Sequence, residues 1–513
     1  MTYGNISSNY SGVLNNLQSP IVVLGIKMKS SDKDKNVGVV SGTIWSILDN
    51  ATSQIITFVI FIILARFLNA EIYGVLAISL LVIQFFRNVI FDSIATSIVR
   101  KESPSKVDYN TAFWSCILFS LPAFFIVLAI APLIQTLMGI QDLAFVIRWT
   151  ALTILLTGIA RTFEIWLTHN LMFKQLAIRS IISIIIGGLV GVYLAYKGYG
   201  VISLMAQQVV TILISLIVLV FTTPWKPGIA ISSASFKEMF NYGKHVSLGG
   251  VTNFANQNSD IFFISYYLGA TPAGLYSVGK KLVNTFTTVL SSAFMRVSLP
   301  AFARVKSDRD KLRSHYLNAT YFTILLTAPI FFGLSAVSYD ITFLVFGKKW
   351  IDAAPIMSIV SFVGCLVSIG YYNHNIMFAC DKPQWQSRLT LCYAITNIIF
   401  FIVFVRFGII ATAIAFTLRT VLMYPLSVWC AITLIDVKWT VYIRSIIYPL
   451  ISASIMLFVL MFLSKYFHHE PSWLILFLKI GIGALAYGAG ILLFLPQADK
   501  GRIADFYQFI KKR

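Results

Sequence analysis

The chain has 513 residues, of which 58% are hydrophobic and only 12% are charged, and its formal net charge is +20. A soluble protein of this length needs far more charged surface, so the composition excludes a soluble globular fold and predicts residence in a lipid bilayer. The basic residues concentrate in alternate loops between apolar segments. This distribution follows the positive-inside rule, so it indicates a membrane topology with both termini in the cytoplasm and not a nucleic-acid partner.

Fourteen hydrophobic segments follow one another along the chain, each of about 20 residues or more. They cover residues 37–66, 72–98, 109–138, 143–168, 175–196, 200–222, 236–267, 272–303, 314–346, 351–379, 384–405, 409–434, 441–464 and 472–495. Because a helix satisfies its own backbone hydrogen bonds in lipid, these segments predict an all-α, polytopic membrane protein of about 14 transmembrane helices. Residues 1–36 are rich in Ser and Asn and are predicted to be a disordered cytoplasmic terminus, with Met28 as an alternative start.

A short motif occurs twice, about 200 residues apart. Residues 68–74 read LNAEIYG and residues 268–274 read LGATPAG, and an apolar segment follows each. A second pair places NLMF at 170–173 and NIMF at 375–378. Internal repeats in a membrane chain are typical of transporters that consist of two related bundles. Since each repeat has an even number of spans, we expect the two to be related by a pseudo-two-fold axis along the membrane normal.

The repeat also predicts the domain organisation. We expect an N-lobe of helices one to six at 37–222, a cytoplasmic linker at 223–243, a C-lobe of helices seven to twelve at 236–434, helices thirteen and fourteen at 435–495, and a basic cytoplasmic tail at 496–513. Two such lobes favour transport by alternating access around a shared cavity.

Polar residues recur at three- and four-residue spacing in spans one, two, seven and eight, so they share one face of each helix. A charged side chain at the bilayer centre costs at least about 2.5–3.5 kcal/mol, so it must face protein or water. We therefore predict a hydrated, net cationic cavity with the substrate-binding residues Arg87, Lys280, Lys281, Arg296, Arg419, Asn253, Gln257 and Asn284. The carboxylates available for ion coupling are Asp49, Asp92 and Asp260. For the uncharged members, the alternative is that they only hold helices together by interhelical hydrogen bonds.

Other charged residues within spans have simpler interpretations. Arg161 and Glu164 are three residues apart and are predicted to form a local pair, and Lys479 is predicted either to snorkel or to line the edge of the last two helices. The five cysteines lack metal-ligand spacing, and no Gly-x-x-x-x-Gly-Lys nucleotide loop occurs. The sequence therefore predicts no cofactor, no metal and no enzymatic activity.

Several of these residues match a known family. The motifs lie at 65–74, 172–174, 260–276 and Pro300, and their order and spacing cover about 40–495. In these features the chain resembles the polysaccharide transporters, or Wzx-type flippases, of the multidrug/oligosaccharidyl-lipid/polysaccharide (MOP) superfamily, and looks closest to colanic-acid-type exporters. Two departures fall in what we expect to be a loop: Asn69 stands where the family usually has Gly, and Glu71 has no acidic counterpart at Thr271.

The resemblance implies an inner-membrane flippase for undecaprenyl-diphosphate-linked oligosaccharide repeat units, which serve exopolysaccharide, capsule or O-antigen synthesis. The cationic residues would meet the diphosphate or acidic sugars, and the polar stripes would meet sugar hydroxyls. The expected partners are the lipid-linked oligosaccharide and membrane lipids, with the polymerase and chain-length machinery of the same pathway as further candidates.

The main alternative is a drug or organic-cation antiporter of the same superfamily. Such a site should be acidic and aromatic, whereas the candidate face carries more Lys and Arg than Asp and Glu. A polysaccharide polymerase would need a long outer loop, and an enzyme of lipid-linked sugar transfer would need clustered carboxylates. Neither pattern occurs in this sequence.

Overall fold

A computed structural model describes residues 33–465 and 471–494, with side chains from residue 45 onward except 47, 292–297 and 299–300. Within these residues the chain is helical and contains no strand. The long helices are α1 (Lys33–Phe67), α2 (Ala70–Val99), α3 (Lys106–Met138), α4 (Leu143–His169), α5 (Phe173–Tyr196), α6 (Val201–Thr222), α7 (Ser233–Leu268), α8 (Ala270–Arg304), α9 (Arg309–Ala336), α10 (Lys348–Ala379), α11 (Pro383–Phe407), α12 (Ile409–Leu434), α13 (Trp439–Ser464) and α14 (Trp473–Phe494). The predicted all-α, polytopic membrane fold is confirmed.

Twelve helices of the described chain are long and apolar enough to cross a membrane. The other two, α7 and α8, contain 36 and 35 residues and coincide with predicted spans seven and eight. Their lower hydropathy follows from the polar stripes that they carry. Helix α1 begins at Lys33, so residues 33–36, which the composition predicts to be disordered, are helical. Residues 1–32, with the alternative start Met28, and the basic tail at 496–513 lie outside the described residues.

Local signals fix the two ends of α3. The Ser105 hydroxyl accepts a hydrogen bond from the Asp108 backbone N–H at 3.2 Å, and the Asp108 carboxylate accepts one from the Ser105 N–H at 2.8 Å. This reciprocal capping box satisfies two backbone donors at the helix start. At the other end Gly139 adopts a φ of 63°, a left-handed conformation that ends the helix. The short connection that follows lets α4 pack directly on α3.

The chain divides into two compact units, and unit 1 comprises the described residues up to Leu68 and Val75–Asn258. In this unit α3 packs on α4, α5 on α6, α4 on α6 and α1 on α5. A Cβ at Gly187 of α5 would lie 1.9 Å from the Thr211 hydroxyl oxygen of α6. Such close approach through small residues is typical of helix pairs in membranes.

Unit 2 comprises Asn69–Gly74 and the described residues from Ser259 onward. Here α9 packs on α10, α11 on α12 and α10 on α12, which repeats three of the four pairings of unit 1 six helices later. The internal repeat in the sequence therefore corresponds to a repeat in helix packing. Helices α13 and α14 lie outside the repeat, with α13 packed on α9 and α14 on α13.

The duplicated motif meets its own copy within unit 2. A Cβ at Gly74 would lie 1.8 Å from the carbonyl oxygen of Ala270, and a Cβ at Gly274 would lie 1.8 Å from that of Ala70. The contact is reciprocal and joins backbone to backbone, so only glycine permits it. The expectation that the motif forms a loop is wrong for its second half, because residues 70–74 and 270–274 are the first turns of α2 and α8.

Candidate functional site

A buried cluster of charged residues forms in unit 2 between α7 and α8. Asp260 is 1% exposed and Lys280 is 9% exposed. The Lys280 ammonium forms an ion pair with the Asp260 carboxylate, and the Tyr276 hydroxyl donates a hydrogen bond to the same carboxylate at 3.0 Å. Tyr276 and Lys280 are four residues apart, so they lie on one face of α8. The negative charge of Asp260 is therefore compensated within the protein.

Arg419 of α12 adds a second cation to this cluster. Its guanidinium carbon lies 5.6 Å from the ring centroids of both Tyr393 and Phe416, and the Lys280 Nζ lies 4.7 Å from the Phe416 centroid. Arg419 is 7% exposed, and its Nε has no hydrogen-bond partner. In the described part of the chain no carboxylate lies within ion-pair distance of this guanidinium.

We call Asp260, Tyr276, Lys280, Arg419 and Phe416 the unit 2 cluster. It combines two buried cations with one buried carboxylate. Ring contacts offset part of the cost of burying Arg419, but they do not replace an anion. Because an uncompensated buried charge is costly, an anionic ligand that reaches this guanidinium would be stabilised.

A second charged cluster forms in unit 1, where α2, α4 and α5 each contribute. Arg161 donates to Asp92 Oδ1 at 2.5 Å and to Glu164 Oε2 at 2.8 Å. The other oxygen of Glu164 forms an ion pair with Arg179, which also contacts the Ser215 hydroxyl at 3.3 Å. We call Asp92, Arg161, Glu164 and Arg179 the unit 1 cluster. Its two cations and two carboxylates cancel formally, and the charge of Arg87 on α2 also acts on Glu164.

The structure brings only some of the predicted site residues together. Lys280, Asp260 and Arg419 lie in the unit 2 cluster, and Asp92 lies in the unit 1 cluster. Arg87 is exposed and begins the π-helical turn Arg87–Phe91 of α2, a distortion that is frequent at functional sites. The predicted uncharged site residues are all exposed: Asn253, Gln257 and Asn284.

The remaining predicted residues are not members of either cluster. Lys281 is half-buried on α8. Asp49 is half-buried on α1 and accepts a hydrogen bond from the Ser53 hydroxyl at 3.0 Å. Arg296 lies in α8, but its side chain is outside the described residues.

The sequence patterns do not predict three members of the clusters, which are Arg179, Tyr276 and Phe416. The predicted local pair of Arg161 and Glu164 is confirmed, but Arg179 extends it to a third helix. Nothing in the sequence singles out Arg179, which lies near the start of an apolar segment. Tyr276 could have been found, because its four-residue spacing from Lys280 places both on one helix face.

One predicted interpretation of Lys479 is wrong. Its ammonium does not snorkel, because it forms an ion pair with Asp340 at 2.7 Å and both residues are 5% exposed. Asp340 lies in the short turn Ser338–Ile341 after α9. The pair therefore connects α14 to the segment between α9 and α10, and its two charges compensate each other.

Long apolar helices in a repeated arrangement, with clusters of charged residues among them, define a polytopic membrane transporter. The chain belongs to the family described as "Polysaccharide biosynthesis protein", whose sequence model matches residues 63–355. The family resemblance expected from the sequence is confirmed.

Two curated relatives align over most of the chain. The succinoglycan biosynthesis transport protein ExoT of Rhizobium meliloti (strain 1021) is 26% identical and covers 90% of this chain and 92% of its own. The teichuronic acid biosynthesis protein TuaB of Bacillus subtilis (strain 168) is 23% identical and covers 91% of this chain and 99% of its own.

Among solved structures, the lipid II flippase MurJ in its inward closed conformation superposes with a TM-score of 0.69. It is 18% identical and covers 89% of this chain and 98% of its own. At this identity the match establishes the fold and leaves the cargo to be argued from the site.

Proposed function

We propose that this protein is a flippase that moves undecaprenyl-diphosphate-linked oligosaccharide repeat units across the bacterial inner membrane for exopolysaccharide, capsule or O-antigen synthesis. The observation that carries the proposal is the excess positive charge of the unit 2 cluster. Arg419 is buried there with an unpartnered Nε. A diphosphate would supply the missing anion through charge-assisted hydrogen bonds, for which the planar guanidinium is well suited.

The chemistry of the cargo agrees with the polar residues of the chain. Hydrocarbon does not admit a hydrophilic glycan, so the glycan needs a wet path lined by hydrogen-bonding groups. The exposed amides of Asn253, Gln257 and Asn284 supply donors and acceptors for sugar hydroxyls. The polyprenyl tail can stay in the bilayer throughout. The names of the relatives ExoT and TuaB, which refer to succinoglycan and teichuronic acid synthesis, support a glycan cargo.

The membrane potential favours outward movement of this cargo. In an inside-negative cell the export of each negative charge gains about 2.3 kcal/mol per 100 mV, and a diphosphate carries two. Asp49, Asp92 and Asp260 remain our candidates for additional ion coupling. Asp92 and Asp260 are each paired with a cation. A proton on Asp260 would leave Lys280 without its carboxylate, whereas a proton on Asp92 would leave Arg161 paired with Glu164.

The protein is a multi-pass membrane protein by its helices. We further propose that both termini are cytoplasmic, that the N-lobe at 37–222 and the C-lobe at 236–434 alternate access to a shared cavity, and that the polymerase and chain-length machinery of the pathway are its partners. Moving an intact lipid-linked repeat unit makes and breaks no covalent bond, so the proposed role is transport without catalysis.

The alternative of a drug antiporter finds no support in the family to which the chain belongs. The charge of the unit 2 cluster also argues against it, because an organic cation would meet Lys280 and Arg419 there. Like charges at such a site are repulsive.

Deletion of the gene tests the proposal. We expect the complete lipid-linked repeat unit to accumulate on the inner leaflet, measured by mass spectrometry, with loss of surface glycan. Expression of Arg419→Met in the deletion strain should leave this defect in place. Arg148→Met is the matched control and should restore export, because Arg148 is exposed on α4. Normal surface glycan in the deletion strain, with lost tolerance to cationic drugs, would contradict the proposal.

A further inference from the structure

A small apolar cavity lies within unit 1, where α2, α3 and the first half of α7 meet. Its volume is about 130 Å³. The Phe236 ring stacks on Phe119 at 6.4 Å and on Phe240 at 6.3 Å, measured between ring centroids. The apolar lining includes Ile90, Ile94, Phe119, Phe236, Met239 and Phe240. The unit 1 cluster contributes no residue to this lining, so the cavity is a separate feature.

The hydroxyl groups in the cavity wall are already engaged. Ser93, Ser115 and Ser247 line the cavity, and each donates its hydroxyl hydrogen to a backbone carbonyl at 2.6 Å. These three residues therefore offer no donor to a polar ligand. A cavity whose wall is mainly apolar and whose hydroxyl groups are engaged favours apolar groups over polar ones.

Among the described residues that line the cavity, one is a cation. Lys244 lines the cavity and is exposed. No carboxylate of the described residues lies within ion-pair distance of it. The site therefore fits a ligand whose anionic group is attached directly to an apolar group.

We propose that this cavity binds the first isoprene unit of a polyprenyl phosphate, with the phosphate on Lys244. A cavity of roughly 150 Å³ accommodates a group the size of benzene, and one isoprene unit is of similar size. In a polyprenyl phosphate the phosphate is bonded directly to that unit. In a glycerophospholipid, ester groups stand between phosphate and acyl chain, and the serine hydroxyls that could donate to them are engaged. The proposal rests on the proposed function, since it assigns a second site, separate from the unit 2 cluster, to the lipid end of the same class of cargo, and one cargo molecule occupies only one of the two sites at a time.

Gly243 allows the cavity to be filled. A Cβ there would lie 3.4 Å from Ser93 Oγ, which is an ordinary contact, so the remainder of a leucine side chain would occupy the cavity. Gly249→Leu is the matched control, because Gly249 lies on the same helix and a Cβ there meets nothing within 4 Å. Binding of undecaprenyl phosphate to the purified full-length protein in detergent is measured by native mass spectrometry. We expect Gly243→Leu to bind about tenfold more weakly, and Gly249→Leu to bind as the unmodified protein does.

A second variant keeps the test valid if Gly243→Leu does not fold. Lys244→Gln should weaken binding of undecaprenyl phosphate and leave binding of uncharged undecaprenol unchanged. Unchanged binding of undecaprenyl phosphate in either variant would overturn the proposal, as would tighter binding of phosphatidylglycerol than of undecaprenyl phosphate. These results are independent of the deletion phenotype. Flipping could fail in the cell while the cavity still binds, and the cavity could fail to bind while export continues.

Discussion

The two charged clusters differ in how their charges balance. In the unit 1 cluster every arginine has a carboxylate, whereas in the unit 2 cluster Arg419 rests on aromatic rings and has none within ion-pair distance among the described residues. The difference agrees with the sequence, because the charged residues of one half are not repeated at the corresponding positions of the other half. At the 200-residue offset Arg87 corresponds to Thr287, and Lys280 corresponds to Leu80. We infer that duplication produced the helix packing and that divergence of the charges left unit 2 able to receive an anion.

A large effect is expected from removing a shared cation in unit 1. Arg161→Met leaves Asp92 and Glu164 without the guanidinium that joins them, and we expect a loss of about 2 kcal/mol, at the low end for paired charges because these side chains are partly exposed. Arg419→Met leaves no carboxylate without an ion pair, so its loss should be much smaller. Thermal unfolding of the purified protein in detergent measures both. Equal destabilisation by the two variants would contradict the difference in charge balance between the two clusters.

The reciprocal contact of Gly74 with Ala270 and of Gly274 with Ala70 is a feature that both copies of the motif share, and its contribution to stability can be measured. Gly74→Ala and Gly274→Ala each place a Cβ 1.8 Å from a carbonyl oxygen, so each should lower stability by about 1–3 kcal/mol through overpacking. Because the contact is reciprocal, the two losses should be similar. Gly249→Ala is the control and should not destabilise, since its Cβ meets open space in a helix that favours alanine. If thermal unfolding shows that only one of Gly74→Ala and Gly274→Ala is destabilised, the result would contradict a reciprocal contact.

A smaller effect is expected at Tyr276. Tyr276→Phe removes one hydrogen bond to Asp260 and leaves the ion pair with Lys280, so we expect a loss of about 1.5 kcal/mol. Export of surface glycan should continue, because the cationic excess is unchanged. Loss of export at normal protein levels would assign Tyr276 a direct role with the cargo and sharpen the description of the unit 2 cluster.

Much of the fold follows from local sequence. Runs of apolar residues predict helices because lipid leaves the backbone no other partner, and all fourteen predicted spans correspond to helices within the described residues. The paired motifs at 68–74 and 268–274 also predict the repeat. The contact between these two motifs was not predictable, because helical periodicity gives the face of a helix and not the neighbour that the face contacts.

The same limit explains which parts of the site could be predicted. Helix position identifies Arg419, Lys280 and Asp260 as charges that need protein or water around them. The partner of a charge depends on tertiary packing. Asp92 and Arg161 are 69 residues apart in the sequence, and Lys479 and Asp340 are 139 residues apart. Helical spacing relates only residues within the same helix, so it predicts neither pair.

The central claim is that the excess cation of the unit 2 cluster receives the diphosphate of the cargo. Equilibrium binding of undecaprenyl diphosphate to the purified protein, to Arg419→Met and to the control Arg148→Met tests it most directly. We predict that Arg419→Met binds about tenfold more weakly, as expected for loss of one charge-assisted contact, and that Arg148→Met binds normally. Equal affinity of Arg419→Met and the unmodified protein would contradict the claim.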